Sequence, residues 1–204
     1  MNNQVCILDY GSGNVTSVKN ALDRLEIPNI VSNDPLAIER ATHLILPGVG
    51  AFSSSMDKIE ALLPIEKIRN QILKGKPFLG ICVGMQVLAE YGHEFQLRKG
   101  LNIISSTNVT ELPKSVSLPH VGWNSIKIVQ NHEIVRGLKD EADFYFVHSY
   151  HVSDIDQNFV VATCDYGIEF PGIIAKDNII GVQFHPEKSQ SNGDLILRNY
   201  AGLH

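Results

Sequence analysis

The first half of the chain alternates short, uniformly apolar runs with segments of helical period. Residues 4–9 (QVCILD) read as a buried strand, and the turn Asp9-Tyr10-Gly11-Ser12-Gly13-Asn14 follows. Val15, Val18, Leu22 and Leu25, three and four residues apart, predict a helix through Leu25. A second strand is expected over 27–32, a short helix over 35–41, and a third strand in 43–50 (HLILPGVG), closing in a Pro-Gly-Val-Gly loop. Residues 53–74 have helical spacing interrupted near Pro64, and Phe78, Leu79 and Ile81 begin another buried strand. Strands apolar on both faces, separated by helices, predict an α/β fold with a mostly parallel central sheet and helices on both sides. Ligands of such sheets bind at the C-terminal strand ends, where all three glycine turns fall.

After Tyr91 the pattern changes. Residues 92–107 form a polar connection, and shorter runs follow over 122–129, 143–152, 159–164, 173–176 and 179–184. Asp177-Asn178 is a hairpin signal between the last two. These predict antiparallel strands added to the sheet, with 189–203 closing the chain as a helix. No linker or repeat divides residues 1–204, so a single domain is expected.

Composition narrows the classes. The 204 residues carry 17 basic and 22 acidic side chains, a net charge of −5, with no basic run to suggest nucleic acid. No apolar stretch approaches the roughly 18 residues of a membrane span, and MNNQVCILDYG lacks the basic and apolar regions of a signal peptide. Cys6, Cys82 and Cys164 are odd in number and far apart, which suits a reducing cytosol. Neither cysteines nor histidines show metal-ligand spacing, and the Gly11-Ser12-Gly13 turn lacks the third glycine of a dinucleotide motif, so no cofactor is expected.

The chemistry concentrates at Gly80-Ile81-Cys82-Val83-Gly84. A strand, a sharp turn bearing a nucleophile, and the helix formers Met85-Gln86-Val87-Leu88-Ala89-Glu90 make the cysteine form of a nucleophile elbow. The thiol would sit at a helix N-terminus that favours thiolate, with the Val83 amide aimed at an oxyanion. The loop Pro47-Gly48-Val49-Gly50 can bring further N–H groups against a ligand and supply the second oxyanion donor; a plain tight turn is the alternative. In His185-Pro186-Glu187, imidazole and carboxylate two residues apart share a face of extended chain, so Glu187 can orient His185 as the base for Cys82. Gln86, Glu94 and His148-Ser149-Tyr150 are polar groups that together suit a small zwitterion bearing an amide.

Those motifs resemble the triad-type (class I) glutamine amidotransferases, whose two signatures match Gly80-Ile81-Cys82-Val83-Gly84-Met85-Gln86 and His185-Pro186-Glu187. A narrower resemblance is to the branch whose members serve as glutaminase subunits beside a (βα)₈-barrel cyclase in histidine synthesis. It is carried by Asp9-Tyr10-Gly11-Ser12-Gly13-Asn14, Leu46-Pro47-Gly48-Val49-Gly50-Ala51-Phe52, Pro119-His120-Val121-Gly122-Trp123-Asn124, Tyr145-Phe146-Val147-His148-Ser149-Tyr150 and Gln183-Phe184-His185-Pro186-Glu187-Lys188-Ser189. It implies a flavodoxin-like three-layer fold, hydrolysis of L-glutamine through a thioester on Cys82, and an oxyanion hole from Val49, Gly50 and Val83. It further implies substrate contacts at Gly48, Gln86, Glu94 and the His148-Ser149-Tyr150 segment, and ammonia passed within a heterodimer. Asn14, His120, Trp123, Asn124 and Lys188 fall in motifs that face the cyclase, and a flip of the Val49 peptide is a conceivable gate. Where members commonly have a Gly/Pro-rich segment, this chain has Gly100-Leu101-Asn102-Ile103-Ile104-Ser105-Ser106, and Val121 replaces a usual Met. These departures touch the choice of partner. They leave open a paralogue serving a cyclase-like barrel that amidates a surface-polysaccharide sugar. A free-standing cysteine hydrolase and a non-catalytic interaction protein are the other classes.

Overall fold

The computed structural model describes residues 4–11 and 14–203. Ser12 and Gly13, part of the first glycine turn, lie outside the described residues. The strands are β1 (Val5–Leu8), β2 (Asn29–Ser32), β3 (His43–Gly48), β4 (Phe78–Cys82), β5 (Tyr91–Gly92), β6 (Arg98–Lys99), β7 (Asn108–Glu111), β8 (His120–Ile128), β9 (Ala142–His148), β10 (Tyr150–Ser153), β11 (Val160–Asp165), β12 (Glu169–Lys176) and β13 (Ile179–Val182). The helices are α1 (Val15–Arg24), α2 (Pro35–Arg40), α3 (Phe52–Leu62), α4 (Ile65–Leu73), α5 (Val83–Gln86) and α6 (Gln190–Ala201).

A nine-stranded sheet runs in the order β2-β1-β3-β4-β13-β12-β11-β8-β9. From β2 to β13 neighbours are parallel, and from β13 to β9 they are antiparallel. Every residue of β1, β3, β4 and β13 is buried, as strands covered on both faces must be. Helices supply that cover: α2 packs on α4, and α1 is tied to α6 by an Arg24–Asp194 ion pair. The buried Tyr200 hydroxyl on α6 donates to the carbonyls of Leu44 at 2.6 Å and Pro77 at 3.0 Å, pinning the last helix at the start of β3 and β4.

The chain departs from its sequence reading in three places. First, β7, β10, β5 and β6 form a separate four-stranded sheet rather than extending the large one, so 92–107 is not merely a connection. Second, the run 143–152 is two strands. Ser149 breaks it, giving its carbonyl to Leu112 N at 2.8 Å, so β9 stays with β8 while β10 pairs with β7. Third, the elbow helix ends at Gln86 instead of continuing to Glu90. The amides of Gly100, Leu101, Asn102 and Ile103 donate to the carbonyls of Glu90, Val87, Ala89 and Leu88, at 2.7–3.0 Å, so these carbonyls are satisfied across the chain instead of by further helix.

The elbow itself is set by close backbone approach. Cys82 has φ +53° and ψ −112°, outside the regions an L-residue ordinarily occupies. A Cβ on Gly84 would collide with the Leu46 carbonyl, and one on Gly80 would collide with the Gly84 carbonyl. Gly84→Ala is therefore expected to destabilise the fold by at least about 2 kcal/mol, the order of an overpacked core. The check is a lower denaturation midpoint at unchanged m-value.

Candidate active site

The C-terminal ends of the parallel strands converge on one cavity of about 260 Å³. Val49, Gly50, Cys82, Val83, Gln86, Glu94, Val147, His148, Ser149, Tyr150, His185 and Lys188 all line it. Most of the residues singled out by sequence thus share one space, though 135 residues lie between Val49 and His185 in the chain. Topology accounts for this. Gly48 is registered opposite Cys82 across β3 and β4, which puts 49–50 beside the elbow, and β13 on the other flank of β4 delivers His185.

Cys82 crowns β4 and is almost fully buried. His185 Nδ1 and Glu187 Oε1 are 2.8 Å apart, with the carboxylate side chain wholly covered by its surroundings. The other ring nitrogen is left to bond the Cys82 sulfur. Burial by itself would lower the affinity of His185 for its second proton. The charge and hydrogen bond of Cys82, followed by those of Glu187, outweigh it and hold the imidazolium up to about 10. Such an arrangement can keep a thiolate paired with an imidazolium and return the proton to a leaving group. The other cysteines lack this setting. Burial raises Cys6 to about 11 and Cys164 to about 12, which disfavours their thiolates.

Around this centre the polar groups are individually fixed. Glu94 accepts from Phe52 N at 2.6 Å; Ala51, the N-cap residue of α3, has no capping side chain, and this carboxylate takes that role while facing the cavity. Gln86 Nε2 donates to the Tyr150 carbonyl at 2.8 Å. His148 Nδ1 is 2.9 Å from the same carbonyl, and its Nε2 is 3.1 Å from His120 Nδ1. Burial drives His148 down to about 3, so this ring is neutral. Gly48 does not line the cavity. A Cβ there would stand 2.6 Å from Gly84 N and 2.9 Å from Val83 Cβ, so its place is in the packing beneath the elbow.

Two positions expected at a partner surface turn inward. Asn14 is 3 % exposed; its Nδ2 donates to Glu187 Oε1 at 2.8 Å and lies 3.4 Å from His185 Nδ1. His120 is equally buried, stacked between Phe146 and Tyr166. In β8 alternate side chains point to opposite faces, so His120 and Asn124 go inward while Val121 and Trp123 go out. Trp123 is 49 % exposed, packs edge-on against Tyr145, and Tyr145 lies under Lys188 Nζ at 6.0 Å. With Val121, Val147 and Val49, also exposed, these make an apolar rim with one cation at the mouth. Sequence reasoning passed over Gln183, which is fully buried with Nε2 3.8 Å from Cys82 Sγ. The available signal was an amide side chain in an otherwise apolar strand end.

A thiol on a left-handed elbow, an imidazole and a carboxylate behind it, at the carboxyl edge of a doubly wound sheet, define a cysteine-dependent acyl-transfer enzyme. The family model for class-I glutamine amidotransferases matches residues 6–201, and the chain belongs to that family. Among solved structures, a glutamine amidotransferase is similar with a TM-score of 0.74 at 19 % identity, covering 98 % of this chain and 99 % of that one. PurLQS from Thermotoga maritima is similar with a TM-score of 0.72 at 18 % identity, covering 98 % of each chain. More similar in sequence is the imidazole glycerol phosphate synthase subunit HisH of Aquifex aeolicus, 45 % identical over 95 % of this chain and 94 % of its own length. The protein of the same name from Methanothermobacter thermautotrophicus is 44 % identical over 98 % of both. No helix among the described residues is long and apolar enough to cross a membrane.

The neutral, buried His148 predicts an acid-labile contribution to the fold. The folded value of His148, about 3, lies below the roughly 6.5 of an unfolded imidazole. Its contribution is present above about pH 6.5 and is lost as pH falls toward 3. Melting temperature should drop from pH 7 to pH 4.5, and less steeply in His148→Phe. A parallel slope in the variant would assign the loss to other groups.

Proposed function

We propose that this chain is the glutaminase subunit of an imidazole glycerol phosphate synthase, hydrolysing L-glutamine and passing ammonia to a (βα)₈-barrel cyclase partner for histidine synthesis. The observation that carries the reading is the assembled Cys82–His185–Glu187 set, in a chain whose named relatives match it over nearly their whole length. That name favours the histidine role over polysaccharide amidation and over a free-standing hydrolase.

In this reading the Cys82 thiolate attacks the side-chain carboxamide carbon of glutamine. The oxyanion so formed accepts N–H bonds from Val83 and from the loop at Val49 and Gly50. His185 gives its proton to the departing nitrogen, ammonia leaves, and a thioester remains on Cys82. His185 then takes a proton from water as it attacks the thioester, releasing glutamate. Glu187 stabilises the imidazolium, and Asn14 holds Glu187. Glu94, negative and anchored on the start of α3, suits the substrate's ammonium group, with Gln86 and the polar edge at Ser149 and Tyr150 beside it.

The rim of Trp123, Tyr145 and Lys188 supports docking of the cyclase over the mouth, where ammonia would leave without meeting bulk water. Asn124 adjoins that rim, whereas Asn14 and His120 act behind it. Gly50 has φ +98° and open space around its Cβ position, which supports the Val49 peptide as the element that turns when the partner's site fills.

Cys82→Ala should reduce glutamate release by at least about 10³-fold, the scale on which a nucleophile's loss registers, while partner binding persists. Asn14→Ala should lower kcat about tenfold, as expected when a buried carboxylate loses a charge-assisted bond. Glutamine hydrolysis should rise strongly when the cyclase and its nucleotide substrate are added, with imidazole glycerol phosphate formed. A rate indifferent to the cyclase, with Cys82 still essential, would leave a glutaminase serving another acceptor.

A further inference from the structure

Behind the Cys82 sulfur lies a connected set of polar groups, of which the hydrolysis scheme uses only the edge at Gln86 and Tyr150. Gln183 Oε1 accepts from Gln86 Nε2 at 3.2 Å, so its own N–H group is the one turned to Cys82 Sγ, 3.8 Å away. Gln86 Nε2 donates its other hydrogen to the Tyr150 carbonyl at 2.8 Å. That carbonyl also receives His148 Nδ1 at 2.9 Å. His148 Nε2 is then an acceptor, which obliges His120 Nδ1, 3.1 Å away, to donate. His120 Nε2 in turn accepts from Asn124 Nδ2 at 3.4 Å, while that amide also donates to the Asp165 carbonyl at 2.9 Å.

Only one assignment satisfies every member: each ring neutral, in a single tautomer, and each amide in a single orientation. Burial, which lowers both His120 and His148, favours that state. A second proton on His148 would leave its bond to the Tyr150 carbonyl intact but set N–H against N–H at His120. Two runs of donors, one from Asn124 and one from Gln86, meet at the Tyr150 carbonyl, and the inner end of the set is the nucleophile.

We propose that Gln183 is a positioning residue for the Cys82 sulfur, donating an N–H that favours the charged form, and that Gln86, His148, His120 and Asn124 hold its amide in that orientation. An N–H bond to a thiolate is stronger than one to a thiol, so the contact acts on reactivity as well as on rotamer. The inference rests on Cys82 being the nucleophile. The outer end of the chain, Asn124, is the residue next to the exposed Trp123 along β8.

The test is the rate of Cys82 alkylation by iodoacetamide as a function of pH, read on the Cys82 peptide by mass spectrometry. Buried Cys6 and Cys164 do not compete. The other titratable groups facing the cavity, Glu94, His148, Tyr150, His185 and Lys188, are retained in each variant. Gln183→Met keeps the length of the side chain and removes the N–H. It should alkylate about tenfold more slowly at pH 7, with the midpoint displaced to higher pH. His120→Phe keeps the stack on Phe146 and Tyr166 and removes both ring nitrogens; it should shift the midpoint the same way with about a threefold loss of rate.

A cooperative melt with an unmoved rate and midpoint in Gln183→Met would overturn the proposal. An unmoved midpoint in His120→Phe would overturn the part played by the chain. Should Gln183→Met fail to melt cooperatively, Gln183→Glu takes its place. An oxygen then faces the sulfur, and an unmoved midpoint there is equally fatal. Failure of the functional reading looks different: Cys82→Ala would still hydrolyse glutamine. Unshifted variants in an enzyme that needs Cys82 defeat the positioning role alone.

Discussion

Everything in the site hangs on how closely two backbones pass at the elbow. Gly84 lies against the Leu46 carbonyl and Gly80 against the Gly84 carbonyl, with no room for a side chain at either place. This contact keeps β3, β4 and the first turn of α5 together while Cys82 occupies a left-handed conformation. The strain of that conformation is of the order of 1–3 kcal/mol and persists only because neighbouring packing over-determines it. From the same contact follows the side-by-side placement of 49–50 and Val83, while the parallel pairing of β13 on the other flank of β4 brings His185 to the sulfur.

Two buried histidines a short way apart are held in opposite protonation states, and their neighbours decide which. His185 lies between Cys82 and Glu187, whose charges and hydrogen bonds outweigh burial, and keeps its proton to about 10. His148 has a carbonyl on one side and another imidazole on the other, with no anion to offset burial, and falls to about 3. Charge is thus concentrated where a proton has to move and kept out of the network that only orients. One low-dielectric pocket accommodates both because each ring's partners match its charge.

Much of this was legible in the sequence, and the parts that were not share a cause. The buried strands of the parallel half, the elbow and the His185-Pro186-Glu187 pair are local patterns: apolar runs, glycine spacing, and side chains two residues apart. The family resemblance those motifs carried is borne out by the matched family model and the relatives over nearly the full chain. What failed depended on distant partners. Nothing near Gln86 announces that the amides of 100–103 will take the carbonyls that would have continued the helix. Ser149 splits an aromatic-rich run because Leu112 takes its carbonyl, a pairing invisible in the run itself. Asn14 and His120 were placed at a surface because their motifs flank one; alternation along β8 and the pull of Glu187 turn them inward.

The place of β13 in the sheet bears on how the chain is made. It lies between β4 and β12, the seam that joins the parallel to the antiparallel half, yet among the described strands it comes last in the chain. Until residues 179–182 leave the ribosome, the inner edge of β4 has no neighbour on that side, and the segment that carries Cys82 borders an open, apolar strand edge. The nucleophile is encoded well before its base, so a nascent chain carries a thiol without its imidazole and carboxylate. The complete Cys82, His185 and Glu187 set can therefore form only after the seam has closed.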